Sequence, residues 1–306
     1  MSKQDIPRYV PPVYQQLQVR YDPDRRAVWY SLAPKGRPCF NMDLLRELRH
    51  FQDHLELACQ QAAVNGDTLP VKYMVLTSEV PGVFNLGGDL ELFTRLIREG
   101  NGKGLQRYAT ACIDVLYPNA INFNRPLTTM TLVQGDALGG GFEAAISSNV
   151  IIAERSAKFG LPEVLFNLIP GMGAYSFLIR RTTPDVAERL LTSGELLTAQ
   201  EMFDLGLIDA IAEDGEGEQV IEEFIRRYHK KSNAHAALNR VRQTVNPVTY
   251  EELIRITNIW VETALQLTKR DLLLIQRLVR AQNHKAISEV GTRKSTGGYG
   301  LSEEAS

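Results

Sequence analysis

Four short runs of β-branched and aromatic residues, VWYSLA (28–33), KYMVLTSE (72–79), TTMTLVQG (128–135) and NVIIAE (149–154), are separated by longer stretches with helical spacing. Each run is apolar almost throughout and bounded by Gly, Pro or Asn, the pattern of a strand covered on both faces. Such strands need helices over them, and MDLLRELRHFQDHLELACQQAA (42–63) and the stretches 90–99 and 104–117 supply apolar residues at helical spacing. The alternation predicts an α/β domain over residues 26–215.

The flanks read differently. Residues 1–25, rich in Pro and Tyr, form an extended arm. From about 184 the chain turns helical, with Thr183 before Pro184 as a cap and two capping boxes, Thr198 with Glu201 and Thr249 with Glu252. The last of these opens EELIRITNIWVETALQLTKRDLLLIQRLVRAQ, expected as one helix of roughly 35 residues and about 50 Å. Residues 216–290 are thus a C-terminal helical region, and 291–306, Gly- and Ser-rich, a flexible tail.

Composition narrows the function classes. Lys and Arg number 34 against 36 Asp and Glu, so no electrostatic nucleic-acid binder is indicated. No run approaches the ~18 apolar residues of a membrane span, and MSKQDIPRYVPPVYQQ lacks a signal peptide's apolar core, so the expectation is a cytoplasmic protein without membrane partner. Cys39, Cys59 and Cys112 are widely spaced and read as small buried hydrophobes.

Most candidate chemistry dissolves under its ordinary explanation. His50 and His54 sit four apart on a predicted helix but lack a third ligand, and read as a solvated face, so no metal is expected. His229, His235 and His284 lie in polar helical segments, and neither a Ser/His/Asp set nor GxSxG is present. GMG at 171–173 follows Ile169-Pro170 rather than a strand, which argues against a dinucleotide loop.

GDALGGGFE (135–143) is harder to dismiss. A strand delivers the chain to Gly139–Gly141 and a short helix leaves them, so unpaired N–H groups are open to close approach by a ligand. VPGVFNLGGDLELF (80–93) has the same form, with Gly87 and Gly88 before Asp89 as helix cap. One N–H from each loop, converging on an oxygen, is the geometry of an oxyanion hole. Glu143 follows the first loop, and Glu163 lies in GLPEVLF; two carboxylates flanked by apolar residues beside such loops point to a general acid/base pair.

GDALGGGFEAAISSNVIIAERSAKFGLPEVLFNLIPGMGA resembles the signature of the crotonase (enoyl-CoA hydratase/isomerase) superfamily, and SEVPGVFNLGGDLELF resembles its first oxyanion-loop segment. The likeness spans roughly 25–215 and is nearest to the diffusible-signal-factor synthases, which make cis-2-unsaturated fatty acid signals. It implies a ClpP/crotonase-like spiral of ββα units with C-terminal helices that support trimerisation. By position it implies catalytic carboxylates at Glu143 and Glu163 and oxyanion donors at the backbone N–H groups of Leu86 and Gly140. Gly87, Gly139, Gly141, Met172 and Trp260 are implied to contact substrate, the last two along the acyl chain; ordinary core packing explains those two equally well.

The activity implied is dehydration of a 3-hydroxyacyl thioester and hydrolysis of the enoyl product to free acid, with no cofactor beyond the phosphopantetheine of an acyl carrier protein or of CoA. Which glutamate is acid and which base stays open. Implied partners are an acyl carrier protein, further copies in a homotrimer or dimer of trimers, and a sensor kinase known for some of these synthases. Arg180, Arg181, Lys230 and Lys231 are a basic set compatible with an acidic carrier. The alternatives are an enoyl-CoA hydratase of fatty-acid breakdown and a non-catalytic binding member, the latter disfavoured by retention of both glutamates.

Overall fold

The buried runs pair edge to edge. In the computed structural model, which describes residues 9–280, the strands are β1 (Leu17–Asp22), β2 (Ala27–Leu32), β3 (Tyr73–Ser78), β4 (Gly82–Asn85), β5 (Thr128–Val133), β6 (Gly135–Leu138), β7 (Val150–Glu154), β8 (Lys158–Gly160), β9 (Leu196–Thr198) and β10 (Ala210–Ala212). One sheet has the order β1-β2-β3-β5-β7-β10, parallel except for the β1/β2 hairpin; a second, of order β4-β6-β8-β9, is parallel except for β8/β9.

Helices close both faces of the larger sheet: α1 (Met42–Asn65), α2 (Leu90–Arg98), α3 (Gly102–Ala120), α4 (Gly140–Ile146), α5 (Ala174–Leu178), α6 (Pro184–Ser193), α7 (Ala199–Asp204), α8 (Gly217–His229), α9 (Ser232–Val245) and α10 (Tyr250–Leu265). Alternate residues divide between two apolar clusters. Ala27, Trp29, Tyr73, Val75, Met130 and Ile152 meet α8 through Ile221 and Ile225, while Val28, Tyr30, Met74, Leu76 and Ile151 belong to the main core. That two-sided burial is why the strands read as continuous apolar runs rather than alternating ones. No helix among the described residues is long and apolar enough to cross a membrane.

Four expectations are corrected. The arm is not wholly outside the domain: LQVRYD within it is β1, paired antiparallel with β2, and its half-buried edge position explains the weak apolar signal. His50 and His54 are not merely solvated; their Nδ1 atoms meet the hydroxyls of Tyr14 (3.0 Å) and Tyr9 (3.4 Å), fastening the arm to α1. The long C-terminal helix is broken. α10 ends at Leu265, and the Thr268 amide and hydroxyl bond Asp271 Oδ2 at 2.8 and 2.7 Å, starting a new helix at 269, because TKRD carries its own N-cap. Glu252 does not close its capping box; its carboxylate pairs with Arg180 at 2.8 Å instead. By contrast Thr183 caps α6, and Thr198 with Glu201 makes both reciprocal bonds. The expected tail at 291–306 and His284 lie outside the described residues.

Candidate active site

β4, β6 and β8 are adjacent, and their C-terminal ends deliver respectively the loop 86–88, the loop 139–140 and the 3-10 turn Pro162–Phe166 that carries Glu163. α4 leaves the second loop and carries Glu143. Two glycines make the approach possible. Gly87 has φ +93°, a conformation costly for any residue with a Cβ, and Gly141 packs so tightly that an added Cβ would stand 2.1 Å from Asn85 O. Neither is among the cavity's lining residues; their close approach holds the two loops together.

The donors differ from expectation in one respect. The Gly140 N–H, first in α4, has no acceptor among the described residues. The Leu86 N–H is instead committed to Pro38 O at 2.8 Å, because residues 86–88 bridge in parallel with 38–40, and the Gly87 N–H goes to Asn85 Oδ1 at 2.8 Å. Gly87 O accepts from the Phe40 N–H at 2.8 Å, so in the trans peptide the Gly88 N–H points the opposite way, without an acceptor among the described residues. Gly88, Gly139, Gly140 and the Leu86 side chain all line the cavity. Tyr108 pins this loop by accepting from the Asp89 N–H at 2.9 Å and donating to Phe40 O at 2.7 Å.

The carboxylates sit in the same cavity in unlike surroundings. Glu143 is 1% exposed, and its Oε1 accepts from the Met172 N–H at 2.8 Å and the Ala174 N–H at 2.9 Å. Burial raises its pKa above the ordinary carboxyl value, and the two N–H bonds partly offset this. Glu163 lies over Gly139, where an added Cβ would be 2.4 Å from its Oε1, and its Oε2 is buried without a hydrogen-bond partner. Burial first, and then the neighbouring charge of Glu143, raise its pKa as well. Two carboxyls in one desolvated site cannot both ionise cheaply, so both are held above the ordinary carboxyl range. Glu143, with two N–H donors, is the better anion, and Glu163 retains the proton.

Apolar walls complete a cavity of about 280 Å³. Trp260 meets Phe93 edge to face at 5.3 Å, Met172 lies against Gly140, and Ala109, Cys112 and Leu278 add to the lining. Met172 and Trp260 both line this cavity. The loop GMG also supplies the Met172 amide that bonds Glu143, a role invisible in sequence because it belongs to the backbone. Asn85 and Tyr108 were likewise missed: each acts through one loop amide. The basic set does not form a patch, since Arg180 is paired with Glu252 and Arg181 donates to Ile146 O; only Lys230 and Lys231 are exposed.

Two desolvated carboxyls, set beside backbone donors at the ends of parallel strands under an apolar wall, sit in a crotonase fold. The chain belongs to the enoyl-CoA hydratase/isomerase family, whose pattern it matches over residues 52–270. Mitochondrial methylglutaconyl-CoA hydratase of Mus musculus is 32% identical over 146 residues, covering 48% of this chain and 44% of that one, so the match spans less than half the length of that relative. The fold is shared with an enoyl-CoA hydratase/isomerase from Xanthobacter autotrophicus Py2 (TM-score 0.71, 17% identity, 92% and 99% of the two chains). It is also shared with Pseudomonas aeruginosa DspI (TM-score 0.65, 20% identity, 80% and 86% coverage).

Proposed function

We propose that this protein adds water to, and removes it from, the C2–C3 bond of an acyl thioester. The observation that carries this reading is the asymmetric carboxyl pair, Glu143 bonded by two amides and Glu163 with an unpartnered buried oxygen, in one apolar cavity beside Gly140. The thioester carbonyl oxygen takes hydrogen bonds from the Gly140 N–H and, in place of the committed Leu86 N–H, the Gly88 N–H, stabilising an enolate. With the proton resting on Glu163 the site is set for addition. Glu143 takes a proton from water, the hydroxide adds at C3, and Glu163 gives its proton to C2. Elimination runs the same path backwards from the tautomer with the proton on Glu143, so a 3-hydroxyacyl thioester gives its C2 proton to Glu163 while Glu143 protonates the C3 hydroxyl, which leaves as water.

A finer reading rests on the apolar lining of the cavity and the resemblance. The substrate is a medium-length 3-hydroxyacyl chain on an acyl carrier protein, lying along Trp260 and Leu278, and the enoyl product is released by water as a free cis-2-unsaturated acid, a diffusible signal. The same donors serve the tetrahedral intermediate of that hydrolysis. One experiment separates the readings. The protein is incubated with 3-hydroxydodecanoyl-acyl carrier protein and, separately, with a short enoyl-CoA, and products are followed by mass spectrometry. Free cis-2-enoic acid from the first supports the synthase; rapid hydration of the enoyl-CoA without free acid supports the hydratase and sinks the synthase. Inertness towards both sinks the proposal.

A further inference from the structure

The larger sheet has a second edge. At the N-terminal ends of β2, β3 and β5, opposite the strand ends that lead toward the glutamates, a groove of about 350 Å³ lies between the β1–β2 turn and the start of α9. β3 has six residues, so at ~3.3 Å per residue its two ends stand about 20 Å apart. The groove's lining includes Arg26 and Lys72 and contains neither Asp nor Glu.

Each cation is placed against ordinary cost. Arg26 has φ +54° although it is not glycine, and its carbonyl accepts the N–H groups of Lys72 (2.8 Å) and Tyr73 (3.2 Å). Its guanidinium donates to Leu69 O, while its Nε is buried with no acceptor. Lys72 is half-buried and makes no ion pair among the described residues; burial, and then the charge of Arg26, lower its pKa. Between them stands Tyr73, 2% exposed, whose buried hydroxyl has no hydrogen-bond partner. On the far wall, α9 begins without a side-chain cap at Ser232 and Asn233, and its first-turn amides carry the positive end of a 14-residue helix. Two like charges without a counter-charge, an orphaned hydroxyl and uncapped amides all lack one thing, an acceptor-rich anion.

We propose that this groove binds a phosphate-bearing small molecule, with Arg26 and Lys72 on the phosphate oxygens, the Tyr73 hydroxyl and the α9 amides as further donors, and the Tyr228–His235 stack as the wall beside its organic part. The rings of Tyr228 and His235 lie 3.6 Å apart and nearly parallel, which makes that wall rigid and flat. A tetrahedral dianion meets donors arriving from three elements, which a planar carboxylate does not.

The test uses the purified full chain, its thermal midpoint and isothermal titration with inorganic phosphate and adenosine 5′-phosphate, each against sodium chloride at matched ionic strength. Saturable binding of phosphate is expected, weakened at least tenfold in Lys72→Gln and several-fold in Tyr73→Phe, while turnover of an enoyl thioester stays at the wild-type rate in both. Tighter binding of the nucleotide than of inorganic phosphate assigns the Tyr228 wall to the organic part of the ligand. Phosphate acting no differently from chloride, or binding equally to wild type and to both variants, overturns the proposal.

Discussion

Replacing Glu163 by Gln is expected to raise stability and abolish turnover at the same alkaline pH. The reasoning starts from the unfolded chain, where a glutamate ionises near 4.5. In the folded protein burial and Glu143 hold the pKa of Glu163 higher, so above that pH the native state keeps a proton that the unfolded state has lost. The stability associated with that proton is fully present below 4.5 and is lost as pH climbs through the folded value. The slope is about 1.4 kcal/mol per pH unit for one proton, so roughly 3 kcal/mol is lost across two units. Gln has no proton to lose, and without its neighbour Glu143 ionises more easily against its two amides. At ~2–4 °C per kcal/mol, the thermal midpoint of the variant should gain roughly 6–12 °C on the wild type between pH 5 and pH 7. Titrating groups outside the pair are common to both proteins and cancel. Calorimetric midpoints at half-unit pH steps give the curve, with dehydration measured on the same samples and expected to fall ~10²–10⁴-fold. A midpoint difference that stays flat with pH would refute the assignment of a retained proton to Glu163.

Three further changes probe the framework of the site. Gly141→Ala puts a methyl group 2.1 Å from Asn85 O and should cost ~1–3 kcal/mol and most of the activity by parting the two loops; unchanged urea midpoints would show that the loops yield. Tyr108→Phe leaves the Asp89 N–H and Phe40 O unpaired, a loss of ~1–3 kcal/mol, and should lower turnover with fold retained by circular dichroism; full activity would remove Tyr108 as the pin of the first loop. Trp260→Ala empties a buried wall at ~3–5 kcal/mol, and KM should shift in favour of longer or branched chains; an unaltered chain-length profile would place the acyl group elsewhere.

The large sheet was legible because its strands are buried on both faces: TTMTLV and VIIAE announce themselves without knowledge of a partner. The small sheet was not, since β4, β8 and β9 are three or four residues long and owe their existence to backbone pairing across distant segments. The same limit governs the site. Glu143, Glu163 and Gly140 carry signals in their own neighbourhoods, whereas the fate of the Leu86 N–H depends on Pro38, which lies far off in sequence. Likewise GMGA at 171–174 hid the Met172 and Ala174 amides that hold Glu143. Side-chain chemistry left traces in the sequence; main-chain chemistry did not.

The three-strand ladder β4-β6-β8 has a consequence for how such a protein can change. Each rung of one short parallel sheet ends in a different working part, so sliding any strand by one residue along its neighbour would carry its part ~3.3 Å out of place and turn its side chains over. Insertions at the starting ends of these strands leave register intact, whereas a single residue gained or lost at the finishing ends displaces an amide or a glutamate. Length variation among descendants of this chain should therefore be tolerated on one rim of the small sheet and purged from the other.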